Sequence, residues 1–454
     1  MVSFFKLKSG EIYALNSFNE ITQNDVKKLT WLFSNAEYLN TDKIQRQYLG
    51  PRKTMITPWS TNAVEITQNM GFLNIDRIEK FIPFKNGLFY DKMTSELYQE
   101  LNQDIYKIST KPEKVREILN IKKYNEIEGL ALNKEEIEYL EKLSKKLKRN
   151  LTDSEVFGFS QVNSEHCRHK IFNGTFILDG KKMSESLFQL IKKTTKTNPN
   201  NVVSAYKDNV AFIEGPEIQQ FAPELGNKPS FYKESKFKSI ISLKAETHNF
   251  PTTVEPFSGA ATGSGGEIRD RLAGGQGSLP LAGTAVYMTP YPRFESLNIG
   301  FKQRKWLYQK PKEILIKASN GASDFGNKFG QPLISGSLLT FEHREENRSL
   351  GFDKVIMLAG GIGFAKHKHS KKEKIQDGDL IVVLGGDNYR IGMGGAAVSS
   401  TETGKYSSGI ELNAVQRSNP EMQKRVSNAI RSIVESKNNF IKSIHDHGAG
   451  GHLN

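Results

Sequence analysis

The sequence predicts an α/β protein that contains more than one domain. With 454 residues the chain exceeds what one ordinary hydrophobic core supports, so two to four domains are expected. Short strand-like apolar runs alternate with segments of helical periodicity, and glycine-rich turns follow several of these runs. No apolar run approaches the roughly 18 residues that a membrane-spanning helix needs, so the sequence predicts no such helix.

The first predicted domain, residues 1–125, is a small α/β unit. Its apolar spacing predicts strands and helices, and a loop rich in Gly, Pro, Ser and Thr begins at Leu49 and leads into the second helix. The predicted strands are Ile12–Leu15 and Arg77–Ile82, and the predicted helices are Asn24–Ser34 and Ala63–Met70.

A helical linker domain is predicted at residues 126–170. Asn133 and Glu136 form a capping pair for a helix that ends near Arg149, and Thr152 with Glu155 forms a capping box for the next helix. This second helix leads directly into a dense polar segment, residues 160–173, which begins Ser-Gln-Val-Asn-Ser-Glu-His-Cys-Arg-His.

A third predicted domain covers residues 171–370, and a fourth unit begins near residue 378. In the third, strand-like runs at Thr175–Leu178, Val210–Ile213, Ile240–Leu243, Leu315–Lys317 and Lys354–Phe364 alternate with helical segments. The fourth begins at Leu380 and is predicted to contain a helix at Pro420–Lys437 and a strand at Phe440–Ile444. Because the sequence stops on a glycine-rich turn after that strand, we expect an amino-terminal piece of a longer protein.

Composition limits the functional classes. A formal net charge of +13 is compatible with nucleic acid or with phosphate-bearing ligands. The main basic cluster, Lys142–Arg149, lies on a helix with an opposite apolar stripe, and no zinc-finger or RNA-binding-sheet motif accompanies it. The single cysteine excludes an intramolecular disulfide and, with no secretory-type start, predicts a cytoplasmic protein.

The stretch from Lys244 to Asp270 combines ionisable side chains with closely spaced glycines. It follows a strand-like run, and glycines in a loop let backbone N–H groups approach phosphate oxygens. It is neither a Walker A loop nor a dinucleotide-binding fingerprint, and a plain turn between strand and helix is the alternative. The pattern indicates a phosphate or Mg-nucleotide site of an uncommon type, with Glu246 and Asp270 as candidate Mg²⁺ ligands.

Six of the nine histidines fall in three short segments, at positions 166 and 169, at 248, and at 445, 447 and 452. Around Cys167 the residues permit a weak zinc site, a Cys–His nucleophile, a polar helix end, or a histidine that acts as acid/base. The sequence alone leaves the polar helix end and the acid/base histidine equally open.

Several segments resemble, in the same order along nearly the whole chain, signatures of the long single-chain phosphoribosylformylglycinamidine synthases. They are Leu49–Arg52, Thr57–Ser60, Ser164–Asn173, Lys244–Asn249, Gly259–Asp270 and Asp446–Gly451. The resemblance implies a ferredoxin-like amino-terminal domain, a helical linker, and an AIR-synthetase-like ATP-binding domain at 171–370. It also implies the start of that fold's carboxyl-terminal domain at 378–454.

The resemblance implies an enzyme of purine biosynthesis. ATP would activate an amide carbonyl oxygen of formylglycinamide ribonucleotide, and ammonia derived from glutamine would displace phosphate to give the amidine. The partners implied are ATP, the ribonucleotide, ammonia, and the rest of the polypeptide with a second synthase half and a glutaminase domain. Another AIR-synthetase-like ATP-dependent enzyme and a non-catalytic nucleotide-binding fragment are the alternatives.

The same resemblance implies the site residues. His166 and His248 would be catalytic, and Glu246, Asp270 and Asp446 would be candidate ligands of Mg²⁺, although the family's metal ligands lie largely in the second half. ATP or substrate would contact Lys244, Asn249, Gly259, Ala260, Ala261, Thr262, Gly263, Ser264, Gly265, Gly266, Glu267, Ile268, Arg269, Asp270, Ser335, Gly336 and Ser337. The chain alone is expected to lack glutaminase activity and synthase activity.

Overall fold

The computed structural model describes residues 1–88, 90–109, 111, 113–294, 305–386 and 389–448. These residues form two compact units, Met1–Lys114 and Val115–Asn454. None of the helices within the described ranges is long and apolar enough to cross a membrane. The predicted α/β class is confirmed, because both units combine helices with sheets.

The first unit is an antiparallel sheet covered by two helices. Its elements are β1 (Val2–Lys6), β2 (Ile12–Ser17), α1 (Gln23–Leu32), β3 (Glu37–Leu39), β4 (Lys43–Ile44), β5 (Tyr48–Pro51), α2 (Pro58–Asn69), β6 (Ile75–Pro83), β7 (Ser95–Tyr98) and β8 (Leu101–Asn102). The main sheet has the order β3-β1-β2-β6-β5-β7. From β2 to β6 the sheet strands and helices follow one another along the chain in the order β-α-β-β-α-β, and in the sheet β5 pairs directly with β6 while β1 lies between β2 and β3.

Alternation along β1 places hydrophobic side chains on both faces of this sheet. Phe5 packs with Leu29 of α1 and Ile78 of β6, whereas Phe4 packs on the other face with Phe81 and Leu101. Both faces are therefore buried, and the predicted strands and helices of this unit form close to their expected positions.

Short helices begin the second unit. They are α3 (Ile121–Glu128), α4 (Lys134–Leu147), α5 (Asp153–Val162) and α6 (Glu165–Arg168), with the short strand β9 (Glu117–Ile118) before α3 and β10 (Leu151–Thr152) between α4 and α5. The two predicted capping boxes are confirmed, because Asn133 caps α4 through Glu136 and Thr152 caps α5 through Glu155. Apolar side chains of α3, α4 and α5 share one core, which includes Ile121, Leu140 and Val156.

The main sheet of the second unit follows these helices. Its elements and neighbours are β11 (Ile177–Leu178), β12 (Lys181–Lys182), α7 (Leu187–Thr197), β13 (Val202–Ser204), β14 (Ala211–Pro223), β15 (Tyr232–Thr247), α8 (Asn249–Val254), α9 (Pro256–Leu272), β16 (Leu279–Thr289), α10 (Pro311–Phe329), β17 (Leu333–Thr340), β18 (Glu342–Glu345), β19 (Arg348–Gly351) and β20 (Ile356–Lys366). The sheet order is β13-β14-β15-β20-β16-β17, and only the β16–β17 pair is parallel.

Beyond β20 lie a 3-10 turn (His367–His369) and the helices α11 (Gly395–Val398), α12 (Ser408–Ala414) and α13 (Pro420–Glu435). The predicted helix at Pro420 is confirmed. The strand predicted at Phe440–Ile444 is wrong, because those residues adopt neither helix nor strand. Positions from 449 onward, including His452 and the end of the Asp446–Gly451 motif, lie outside the described residues.

One strand prediction fails for a clear physical reason. Leu315–Lys317 lies inside α10, because the apolar residues around it recur at helical spacing. Ile314, Ala318 and Ala322 follow one another at four-residue intervals and are all buried. Ala318 and Ala322 face Ala260 of α9, so their small side chains let the two helices approach closely.

Candidate active site

The predicted glycine loop is a helix in the structure. Strand β15 ends at Thr247, His248 precedes α8, and the whole run from Gly259 to Asp270 lies within α9. Most of α9 is buried, and its backbone N–H groups are used in the helical hydrogen bonds. The prediction that these N–H groups cradle phosphate from a loop is therefore wrong.

Close packing of helices explains the glycines. A Cβ atom at Gly259 would lie 2.4 Å from the backbone carbonyl carbon of Pro251, and one at Gly263 would lie 2.9 Å from Cβ of His248. A Cβ at Gly265 would lie 2.8 Å from the ring of Phe325 on α10. The glycines thus allow α9 to lie against α8 and α10, which is a packing requirement.

Five charged side chains form a cluster where β15 meets the end of α9. Nζ of Lys244 lies 2.6 Å from Oδ2 of Asp270 and 3.1 Å from Oε2 of Glu246. Nε of Arg269 lies 4.0 Å from Oδ2 of Asp446, which brings the last described segment to the same place. The structure therefore brings together residues that are up to 202 positions apart in the sequence (446 − 244).

Burial and mutual charge shift the pKa values in this cluster. Burial and the charges of Asp446 and Glu246 raise the pKa of Asp270 to about 8, and the charge of Lys244 opposes part of this rise. Burial acts to raise the pKa of Glu246 as well, but Lys244 and His248 lower it below its ordinary value. The pKa of Lys244 is raised, because its two carboxylate partners outweigh its burial. Asp270 is thus the carboxyl group of this cluster whose ionisation its buried surroundings oppose most.

His248 stands between β15 and α8. Its backbone N–H donates to the carbonyl of Met357 on β20 at 2.9 Å, which fixes the residue at the edge of the cluster. Burial lowers the pKa of its imidazole to about 4, so the ring is neutral at physiological pH. Within the described structure, Nδ1 of this ring is buried and has no hydrogen-bond partner.

His166 lies on α6, which Ser164 caps through the backbone N–H of Cys167. The backbone N–H of His166 donates to Oγ of Ser400 at 3.3 Å. The surrounding protein desolvates the imidazole and lowers its pKa, while the charge of Glu246 acts in the opposite direction. The charge of Glu246 acts on the pKa of His166, so the two side chains lie within electrostatic range of each other.

Cys167 does not form a catalytic pair with its neighbour. Its Sγ lies 3.9 Å from Nδ1 of His166, too long for an activated nucleophile–base hydrogen bond. For a zinc site, three or more suitable ligands would have to converge. The structure offers no such group of His, Cys, Asp and Glu side chains anywhere in its described ranges.

The same observation bears on the predicted Mg²⁺ ligands. Glu246, Asp270 and Asp446 offer the oxygen donors that Mg²⁺ takes. The ammonium of Lys244, however, already bridges Glu246 and Asp270. In this arrangement the three carboxylates do not fit a metal ion.

Several predicted contact residues serve the fold. Ala260, Ala261 and Ile268 belong to hydrophobic cores. Glu267 forms a buried ion pair with Arg271 and accepts a hydrogen bond from Gln331. Thr262, Gly263, Ser264 and Gly265 are buried inside α9, and Gly266 is half-buried there.

Asn249 is used in a structural hydrogen bond, and the Ser335–Ser337 segment lies apart from the charged cluster. Oδ1 of Asn249 accepts a hydrogen bond from the backbone N–H of Met357 at 3.0 Å, which ties α8 to β20. Ser335, Gly336 and Ser337 are exposed on the edge strand β17. Three strand spacings, about 14 Å, separate β17 from β15. The structure does not bring this segment into contact with Lys244.

Two side chains of the cluster were not predicted. Asn209, in the turn before β14, donates through Nδ2 to Asp446 at 3.2 Å and to Asp270 at 3.5 Å. Gln423 of α13 accepts from Arg269 at 2.9 Å and donates to the carbonyl of Gly265 at 2.9 Å. The polar pair Asp208–Asn209 directly before a strand-like run was the available sequence signal for the first of these.

Three family models match parts of the chain. The formylglycinamide ribonucleotide amidotransferase N-terminal model matches residues 11–107, and the linker-domain model of the same enzyme matches residues 121–170. The model for the carboxyl-terminal domain of AIR synthase related proteins matches residues 376–454.

A curated relative from Arabidopsis thaliana is named probable phosphoribosylformylglycinamidine synthase, chloroplastic/mitochondrial. It is 37% identical over 435 residues, which cover 89% of this chain and 31% of the relative. The chain thus spans about a third of the length of this relative.

Similar solved structures include PurL of Thermotoga maritima complexed with FGAR, at 22% identity and a TM-score of 0.41, covering 66% of this chain and 37% of that one. PurLQS from the same organism is 22% identical with a TM-score of 0.39, covering 69% of this chain and 37% of that one.

Proposed function

Since the chain belongs to the phosphoribosylformylglycinamidine synthase family, we propose that it takes part in the ATP-dependent amidation of formylglycinamide ribonucleotide in purine biosynthesis. The observation that carries the proposal is the ion-paired cluster of Lys244, Glu246 and Asp270, whose Glu246 acts on the pKa values of His166 and His248. Two neutral imidazoles beside paired charges suit a reaction that moves protons and phosphate together.

In the proposed reaction, the terminal phosphoryl group of ATP is transferred to the amide oxygen of the ribonucleotide, which gives ADP and an iminophosphate. Ammonia then attacks the activated carbon, the bond between that carbon and the phosphate-bearing oxygen breaks, and inorganic phosphate leaves. The attacking nitrogen loses a proton to a base, and the product is the amidine.

The two histidines have the protonation state that this chemistry requires. A neutral imidazole accepts a proton or a hydrogen bond, and the lowered pKa values of His166 and His248 keep both rings neutral at physiological pH. Nδ1 of His248 is buried without a hydrogen-bond partner in the described structure, so a ligand that bonds to it must displace the atoms that cover it. We assign to this pair the orientation of the amide and the removal of the proton from ammonia.

Charge balance limits how the cluster binds phosphate. Lys244 and Arg269 face the carboxylates of Glu246, Asp270 and Asp446, so the cluster carries −1 when all five are ionised (2 − 3 = −1). A proton on Asp270 brings the cluster close to neutrality. ATP binding therefore depends on the retention of that proton, or on a shift of Lys244 and Arg269 toward the phosphates.

Magnesium stays a prediction, and no step of the proposed reaction is assigned to it. The carboxylates as arranged hold Lys244 and do not form a metal cage. Calorimetric titration of the chain with MgCl₂, in the presence and absence of ATP, would measure whether these carboxylates take up the ion.

We further propose that the ammonia derives from glutamine and that a second synthase half and a glutaminase domain belong to the same polypeptide. The greater length of the Arabidopsis relative supports this part of the proposal. The 454-residue chain alone is then expected to release no glutamate from glutamine, and measurable release would contradict it. A cytoplasmic location, supported by the single cysteine, is testable by microscopy of a tagged protein.

The test separates binding from turnover. The chain is expected to bind ATP and formylglycinamide ribonucleotide by calorimetry, and the native protein is expected to form ADP only when ribonucleotide and an ammonium salt are both present. His166→Ala and His248→Ala should retain ATP binding and lower turnover by about 100-fold or more.

His343→Ala is the matched control, because His343 is exposed in the β18–β19 hairpin. It should leave turnover unchanged. Full turnover in both site variants would contradict the proposal. ATP binding without ribonucleotide binding would instead favour a nucleotide-binding module or another AIR-synthetase-like enzyme.

A further inference from the structure

The turn before β14 holds an aspartate whose side chain is 10% exposed and joins three parts of the second unit. Asp208 accepts from the backbone N–H of Gly275, just beyond α9, at 3.0 Å. It also pairs with Nζ of Lys372 at 2.8 Å and accepts from the backbone N–H of Asn209 at 2.9 Å. Asp208 therefore fixes the turn against the end of α9 and against the segment that follows β20.

The next residue, Asn209, reaches the charged cluster directly. Its Nδ2 donates to Asp446 at 3.2 Å and to Asp270 at 3.5 Å, so a single amide bridges the two carboxylates. Lys372, the partner of Asp208, lies 3.5 Å from Nδ1 of His445. Asp208 thus reaches His445 through Lys372, and Asn209 contacts the next residue, Asp446, directly.

The segment that carries Asp446 depends on such contacts. In the described part of the chain, residues 443–448 belong to no helix or strand. The backbone hydrogen bond nearest to them on the amino-terminal side runs from Glu373 to the carbonyl of Lys442. Side-chain contacts with Asn209, Arg269 and Lys372 are among those that hold Asp446 near Asp270.

We propose that Asp208 and Asn209 are positioning residues of the active site, which clamp the His445–Asp446 segment onto the end of α9. Asn209 acts through Asp446 and Asp270, and Asp208 acts through Lys372, which contacts His445. The functional consequence rests on the proposed ATP-dependent activity, whereas the clamp itself is a property of the folded chain that is measurable without any ligand.

Hydrogen–deuterium exchange of the peptide that covers residues 440–448 tests the clamp. In Asp208→Ala and Asn209→Ala, amides of this peptide are expected to exchange about tenfold faster, because hydrogen bonds to charged groups are lost. Lys207→Ala, an exposed residue in the same turn, is the matched control and should leave exchange unchanged. Unchanged exchange in both clamp variants, at an unaltered melting temperature, would overturn the proposal.

ATP affinity supplies the functional readout. Asn209→Ala is expected to weaken ATP binding about tenfold, and Asn209→Asp more strongly, because a further carboxylate then faces Asp270 and Asp446. In a double-mutant cycle, Asn209→Ala should cost little in an Asp446→Asn background. Additive losses, or equal losses in the alanine and aspartate variants, would refute positioning through Asp446.

The two proposals fail in different ways. If the parent chain binds no ATP, the proposed function fails, and the exchange experiment still decides the clamp. If ATP binds normally and the exchange of residues 440–448 does not respond to Asp208 and Asn209, the clamp fails and the proposed function stands.

Discussion

Replacement of Gly259 by alanine is expected to destabilise the second unit, although alanine is the better helix former. The new Cβ would lie 2.4 Å from the carbonyl carbon and oxygen of Pro251 and 2.5 Å from the backbone nitrogen of Thr252. These are backbone atoms, so relief requires that α8 move away from α9. Overpacking of this kind costs about 3 kcal/mol, and alanine's helix propensity offsets about 1 kcal/mol. The expected net loss is about 2 kcal/mol.

Gly266 provides the control within the same helix. A Cβ there would lie 3.5 Å from Nη2 of Arg269 and 3.8 Å from Cγ of Glu246, which is ordinary contact. Gly266→Ala is therefore expected to stabilise the helix by about 0.5–1 kcal/mol. Hydrogen exchange of α9 peptides at increasing urea concentrations measures both changes locally. A loss of stability in Gly266→Ala, or a gain in Gly259→Ala, would refute the packing argument.

Three further predictions concern buried charge. Glu267→Gln leaves the fully buried Arg271 without its carboxylate and should lower the unfolding free energy by about 3 kcal/mol in urea denaturation. The control Asp324→Asn, in an exposed helical ion pair, should change the unfolding free energy by less than about 0.5 kcal/mol. Equal effects of the two substitutions would contradict this prediction. Because the folded-state pKa of Asp270 is about 8 and its unfolded value is about 4, the folded chain binds the extra proton between these values. The unfolding free energy should then fall as the pH rises from about 4 to 8. In denaturation experiments at a series of pH values, the unfolding free energy should depend less steeply on pH in Asp270→Asn. An unchanged pH dependence in this variant would count against the raised pKa. Lys244→Met removes the cation between two carboxylates and should strengthen Mg²⁺ binding about tenfold in calorimetry; unchanged affinity would show that Lys244 does not compete with the ion.

Local signals predicted the helices well. The capping boxes at Asn133 and Thr152 are correct because each involves residues only three positions apart. The helix that starts at Pro420 is likewise specified by its own apolar spacing and an amino-terminal proline. Such features depend on residues that are close in the sequence, so they can be recognised from a single sequence.

The nature of the glycine run could not be predicted, because tertiary contact decides it. Glycines at this density are typical of loops, and nothing near Gly259 in the sequence shows that α8 lies within a Cβ's reach. Here the loss of helix propensity is compensated by close packing between helices. Leu315–Lys317 failed differently, because so short a run with two apolar residues fits a strand or a buried helix equally well.

The candidate site was predicted in part. Lys244, Glu246 and Asp270 are in direct contact, and the charge of Glu246 acts on the pKa values of His166 and His248, whereas the catalytic roles of these residues stay predictions. The sequence could not reveal Asn209 or Gln423, since only the fold brings the turn before β14 and helix α13 to the end of α9.

The fate of one oxygen atom tests the central claim most directly. The native protein is supplied with ATP, an ammonium salt and formylglycinamide ribonucleotide labelled with ¹⁸O at the reacting amide. The proposed iminophosphate predicts that this oxygen appears in inorganic phosphate as amidine forms, and that His166→Ala and His248→Ala abolish the transfer. Amidine formation accompanied by unlabelled phosphate would contradict the proposed reaction.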